Sequence, residues 1–207
     1  MGVIALENEA IRDQSEEILS VFPHTKAIIS VVCQLNKENI RCPDRSVSDF
    51  EFLHGFDKMS TVSRNIISKL NEIGIRAVNP PIGFPMDVSK WPGKMRPISH
   101  KPIAVAAGLG SIGHHRLVTH PKFGSFVVLG SILIDQIVEE HTYPLEFNPC
   151  LDCKLCVTAC PVGAISKDGH FNFANCMTYN YRDRADGFTD WVEMLYPARI
   201  RVNIVEK

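Results

Sequence analysis

Up to Asp135, apolar positions recur along this chain at the spacings that build helices and strands. From Glu7 to Phe22, Ile11, Ile18, Leu19 and Phe22 fall at helical intervals and predict an amphipathic helix. Lys26-Ala27-Ile28-Ile29-Ser30-Val31-Val32-Cys33 is rich in β-branched residues and predicts a strand. Met59, Val62, Ile66, Leu70 and Ile73 return every three or four positions, which predicts a second helix that Gly74 stops; Ile75 to Val78 resumes as a short strand. Ser125 to Asp135 is the most apolar run and reads as a central strand. Together these elements predict one α/β (α+β) core.

Two stretches break the pattern. Between Asn79 and Pro97 the chain holds five prolines and two glycines, too many for regular structure, so a long ordered loop of the kind that lines sites is expected there. After Pro144 and Pro149 the composition shifts to cysteine, small residues and asparagine. A domain boundary near residue 140 follows, with a core domain over 1–140 and a cysteine segment over 141–207.

Composition narrows the function. Lys and Arg total 22 against 23 Asp and Glu, a formal charge of −1, so no strong field attracts phosphate backbones and nucleic acid is not favoured as a partner. No apolar run approaches the roughly 18 residues of a membrane span, and the N-terminus lacks a basic, signal-like start, so a cytoplasmic address without membrane contact is expected. Five of the seven cysteines crowd between Cys150 and Cys176. Thiols clustered this tightly read as a metal site in a reducing compartment rather than as a disulfide framework. Cys33, ending an apolar strand, reads as a core thiol.

Cys150, Cys153, Cys156 and Cys160-Pro161 follow the spacing C-x2-C-x2-C-x3-C-P, the bacterial ferredoxin run for a [4Fe-4S] cluster. Zinc knuckles instead pair two C-x2-C units across a longer spacer. In ferredoxin runs the fourth cysteine commonly serves another cluster, and no second run follows here; Cys176 stands alone. Either Cys160 or Cys176 completes the set begun by Cys150, Cys153 and Cys156, or the chain is truncated and has lost the cysteines of a second cluster.

Gly108-Leu109-Gly110-Ser111-Ile112-Gly113 satisfies G-x-G-x-x-G, and Asp135 lies about where a ribose-binding acid would stand. A dinucleotide site also requires a crossover helix after the third glycine. Pro121 and Gly124 interrupt the short span before the next strand, which argues against that helix. The glycines are left to make a tight turn or a close approach of backbone to a flat or phosphorylated group.

The block from His100 to Gly113, followed by His120-Pro121-Lys122-Phe123-Gly124-Ser125, by Gly130 to Asp135 and then by the cysteine run, closely resembles the cobalamin-dependent reductases, which comprise epoxyqueuosine reductases and reductive dehalogenases. The resemblance covers about residues 98 to 180. It implies a nitroreductase-like domain that binds cobalamin, with an appended ferredoxin-like [4Fe-4S] segment that feeds it electrons for reductive deoxygenation or dehalogenation. It further implies contact with the corrinoid through Gly108, Gly110, Ser111, Gly113, His114, Lys122, Gly124, Met177, Thr178 and Tyr179. Epoxyqueuosine reductases carry an aspartate proton donor shortly before the proline that precedes the glycine loop; this chain has Ser99-His100-Lys101 there.

A reductase of this kind requires a proton donor, and His100, His114 and Tyr179 are the catalytic candidates. His114, His115 and His120 lie within seven positions but have no carboxylate or cysteine close by in sequence, and read as loop histidines rather than as a metal site. Arg182, Arg184, Arg199 and Arg201 form a late basic set that reads as solvated surface or as a site for corrinoid amides, a phosphate or an acidic partner. The expected partners are a small-molecule substrate and an external electron donor such as ferredoxin or flavodoxin. Two alternatives remain at this point: an electron-transfer subunit without its own corrinoid, and a flavin-binding reductase.

Overall fold

The computed structural model describes residues 1–82, 98–176 and 179, and the backbone of 86–87 and 94–95. Strand β1 (Gly2–Ala5) begins the chain. The expected first helix is split: a 3-10 turn over Glu9–Gln14, whose Asn8 cap accepts from the Ala10 amide, leads into α1 (Ser15–Val21). Ile11 and Ile18 are fully buried, as the spacing required.

Strand β2 (Ala27–Gln34) is followed by the short α2 (Lys37–Arg41) and by α3 (Arg45–Glu72). At 28 residues α3 is about twice the helix that the Met59 to Ile73 pattern marks. Its first half was hidden because Val47, Phe50, Phe52 and Leu53 are exposed and leave no apolar stripe to read. Strand β3 (Ala77–Val78) follows Gly74. Inside the proline-rich loop the chain forms an antiparallel pair, β4 (Met86–Asp87) with β5 (Lys94–Met95), so the expectation of no regular structure there is corrected.

Next come α4 (His100–Ala106), β6 (Ser111–Ile112), β7 (Val118–Thr119), β8 (Val127–Ile134) and, within the cysteine run, α5 (Leu155–Ala159). The main sheet has the order β1-β2-β8-β3, antiparallel throughout. Strands β2 and β8 pair over their whole length, from Ala27 opposite Ile134 to Gln34 opposite Val127.

Both faces of these central strands are covered, which explains their unbroken apolar character. One face carries Ala27, Val31, Ile132 and Ile134 against Met59 of α3. The other carries Ile28 and Leu133 against Ile103 and Ala104 of α4 and Ile11 and Ile18 of the first helical segments. Each fully buried Ile or Leu contributes about 1.5–3 kcal/mol of transfer free energy. The result is a three-layer α+β core whose centre ends where α4 gives way to the glycine loop.

Residues next to the expected boundary near 140 return to the start of the chain. Val3 N donates to Thr142 Oγ1 at 2.9 Å, and Thr142 N donates to Val3 O at 2.8 Å. The cysteine segment therefore leaves from the β1 edge.

Candidate functional site

The glycine motif is a hairpin that grows from a helix end. Helix α4, not a strand, precedes it, and Gly113 N donates to Leu117 O where a nucleotide-binding helix would have to begin. Asp135 accepts from Arg76 Nε at 2.6 Å and from Arg76 N at 2.9 Å, which locks the end of β8 to the chain entering β3 and draws this carboxyl below its usual range. The structure thus agrees that the motif is not a dinucleotide fingerprint.

Two glycines are required by close approach. Gly108 has φ +70, and a Cβ there would lie 2.5 Å from Tyr143 O on the chain leading to the cysteines. A Cβ on Gly113 would lie 2.6 Å from Cys150 Sγ and 2.8 Å from the His115 ring. The hairpin backbone and the first cysteine are in contact because position 113 has no side chain.

A cleft of about 280 Å³ opens at this junction, lined by Ile112, Gly113, His114, Arg116, Asn148, Cys150, Leu151 and Gly169. Asn148 Oδ1 accepts from Cys150 N at 3.1 Å and shapes the turn. His114 Nε2 stands 2.8 Å from Lys154 Nζ. An ammonium only donates, so the imidazole accepts at Nε2 and carries its own proton at Nδ1. Nearby, the hydroxyls of Ser111 and Thr119, paired across β6 and β7, are buried without a hydrogen-bond partner. Among the described residues Ser30, Ser63 and His141 also bury an unpartnered side-chain atom, so the feature is not peculiar to the hairpin.

The other histidines have structural uses. His100 Nε2 donates to Pro81 O at 3.0 Å, since a carbonyl only accepts, and Nδ1 then accepts from Ser131 Oγ at 2.9 Å. Desolvation holds this imidazole below its ordinary pKa, hence neutral. Both nitrogens are engaged, so His100 braces the loop entry against β8. His115 Nδ1 accepts from Leu117 N and His120 Nδ1 from Lys122 N, and burial lowers the pKa of both rings. Among the described residues no three His, Cys, Asp or Glu side chains meet at the spacing of a single metal ion.

Lys122 reaches over the Phe123 ring, and Gly124 closes the turn through the bridge to His120. Tyr179 is 39% exposed. Met177, Thr178, Arg182, Arg184, Arg199 and Arg201 lie outside the described residues.

Among the described residues no disulfide forms; Cys153 is exposed, and Cys150, Cys156, Cys160 and Cys176 are half-buried. Cys160 Sγ accepts from Ala164 N at 3.2 Å, and backbone amides from Val162 to Ile165 draw this thiol below its usual pKa. Amide donors to sulfur are what a thiolate ligand needs. Burial pushes Lys101 down, partly offset by the attraction of Cys176. In chemistry the donor set, thiols at ferredoxin spacing with amides donating to one of them, fits an iron–sulfur cubane, which takes one thiolate per iron.

Comparison with known proteins bears on the same region. A family model described as a 4Fe-4S binding domain matches residues 145–166. Epoxyqueuosine reductase of Aliivibrio fischeri is 37% identical over 83 residues, 40% of this chain and 22% of that protein. The chain is similar to the epoxyqueuosine reductases. It matches only about a fifth of the length of that curated relative. A solved epoxyqueuosine reductase bound to a tRNA stem loop shares the fold, with TM-score 0.55 and 19% identity over 83% of this chain and 50% of that one. A catabolic reductive dehalogenase shares it too, with TM-score 0.57 and 16% identity over 69% of this chain and 20% of that one.

The resemblance read from the residues is borne out, as are the mixed α/β architecture and the 4Fe-4S domain. The tRNA complex runs against the expectation that nucleic acid is not favoured. That expectation rested on net charge, which averages over the surface and is silent about a local site. No helix among the described residues is long and apolar enough to cross a membrane.

Proposed function

We propose that this chain is the cofactor-binding part of a cobalamin-dependent iron–sulfur reductase resembling epoxyqueuosine reductase. In this reading electrons pass from a [4Fe-4S] cluster to a bound cobalamin for reductive deoxygenation or dehalogenation of a small substrate. The observation that carries it is the contact between Gly113 of the glycine hairpin and Cys150 of the ferredoxin run, which puts the electron-transfer segment directly against the candidate cofactor surface. The sheet and its glycine hairpin are read as a nitroreductase-like domain, an external ferredoxin or flavodoxin as the donor, and the cytoplasm as the location.

Cys150, Cys153 and Cys156 are the cluster ligands in this account, with Cys160 or Cys176 completing the set. Gly108, Gly110, Ser111, Gly113, His114, Lys122 and Gly124 would hold the corrinoid, joined by Met177, Thr178 and Tyr179. When bound, cobalamin supplies a metal centre able to take up electrons and act as a strong nucleophile or reductant. The chain's own part is to bind and orient that group, to bring the hairpin against the cysteine segment at Gly108 and Gly113, and to hold a proton at His114 Nδ1 in the cleft wall. Of the three proton-donor candidates, His114 lines the cleft; both ring nitrogens of His100 are engaged elsewhere, and Tyr179 remains a candidate.

The test is the visible spectrum, with iron and sulfide counts, of protein purified without oxygen and supplied with hydroxocobalamin. A filled cluster with retained corrinoid bands is expected. A cluster without retained corrinoid would instead support the electron-carrier reading, and a retained flavin the flavin reading. Iron counts on Cys160→Ala and Cys176→Ala then assign the remaining ligand.

A further inference from the structure

Arg116 stands out at the junction between hairpin and cysteine segment. It is the residue other than glycine, among those described, that adopts a positive φ, at +59. Left-handed backbone is strained for a side chain with a Cβ and persists where surrounding contacts hold it. Here three contacts do so. Lys101 Nζ, from α4, donates to Arg116 O at 2.7 Å. Arg116 Nη2 donates to Gly169 O at 3.1 Å. The guanidinium also lies 5.9 Å from the centre of the Phe171 ring.

Gly169 and Phe171 belong to the turn that follows the cysteine run. There Ile165 bridges Phe171, Ser166 N donates to His170 O at 2.9 Å, and Asn172 N donates to Ala164 O at 2.8 Å. Contacts thus lead from α4, through the Arg116 main chain and side chain, to the turn beyond the cysteine run. Arg116 also lines the cleft that Cys150 lines. We propose that Arg116 is a positioning residue: it pins the cysteine segment to the glycine hairpin and sets a permanent positive charge in the wall of the cleft shared with Cys150.

The inference deepens the proposed function and rests on it for the role of the cluster, but the pin itself concerns this chain's own residues. Arg116→Gly separates side chain from backbone, because glycine adopts the left-handed conformation freely and keeps the carbonyl that Lys101 holds. Arg116→Lys keeps the charge without the forked donor. Lys101→Met removes the hold on the carbonyl.

Hydrogen exchange on the full chain without metal reads the pin. In Arg116→Gly, and to a lesser degree in Lys101→Met, the amides of Ser166 and Asn172 should exchange roughly tenfold faster while β2 and β8 are unchanged. After anaerobic reconstitution, the midpoint potential of the cluster should move to more negative values in Arg116→Gly, because a cation beside an anionic cluster favours its reduced form, and stay near the parent value in Arg116→Lys. Parent exchange rates at Ser166 and Asn172 together with a parent potential in Arg116→Gly would overturn the proposal. Failure of the parent chain to take up a cluster would overturn the proposed function and leave the exchange contrast to decide the pin.

Discussion

The β2–β8 ladder and the junction of glycine hairpin and cysteine run are built by opposite rules. In the ladder each residue has a cross-strand partner: eight residues of β2 face eight of β8, and Ile28, Ile132 and Leu133 are fully buried between helices. At the junction the strands are two residues long, and polar, strained and exposed groups collect. Ser111 and Thr119 hydroxyls lack partners, Arg116 holds a left-handed backbone, Cys153 is exposed, and Leu151 and Leu155 are 68% and 77% exposed beside the thiols. The first region explains the stability of the fold. The second holds the residues that the proposed function assigns to its cofactors.

Mutations should separate the two, and the largest effect belongs to the ladder. Leu133→Ala should lower unfolding free energy by about 2–5 kcal/mol, measured by denaturant titration, because it empties space at the sheet centre. Next, Gly113→Ala should leave the melting temperature of the core nearly unchanged while iron retained after reconstitution falls several-fold, since the new methyl collides with Cys150 Sγ and the His115 ring. Equal iron content would break the link between hairpin and cluster.

His100→Gln should cost about 1–3 kcal/mol through its two hydrogen bonds. The sign of the pH effect follows from its depressed pKa. Stability is fully present above the unfolded histidine value, about 6.5, and is lost as pH falls from there towards the lower folded value. Chemical denaturation at a series of pH values should show this slope in the parent and not in the variant. The smallest effect is expected for Asp135→Asn. Its carboxylate is held below the usual range by Arg76, so its contribution is present above about pH 4 and is lost on further acidification. The variant should lose this small contribution at neutral pH and converge with the parent in acid, which flattens that limb.

How much of this was legible in the sequence follows the same division. Strands β2 and β8 and the second half of α3 announced themselves, because burial on both faces leaves long apolar runs and burial on one leaves a stripe. Strand β1 is only four residues long and carries no pattern of its own. Helix α4 buries Ile103, Ala104 and Ala106 in so short a span that it reads merely as an apolar stretch. At the site, cysteine spacing and the glycines were legible because the chemistry demands them at fixed intervals. The brace made by His100 was not, since Ser131 is 31 positions away and comes near only through the sheet. Arg116 gave no signal, because its significance lies in a dihedral angle and in partners from α4 and the segment beyond the cysteines.

The central claim is that hairpin and cysteine run form one site for two redox groups. The most direct measurement is the electron paramagnetic resonance spectrum of the reconstituted, reduced protein with the paramagnetic cobalt(II) form of the corrinoid added. Broadening or splitting of the cluster and cobalt signals by each other is predicted. Two unperturbed signals that simply add would contradict it.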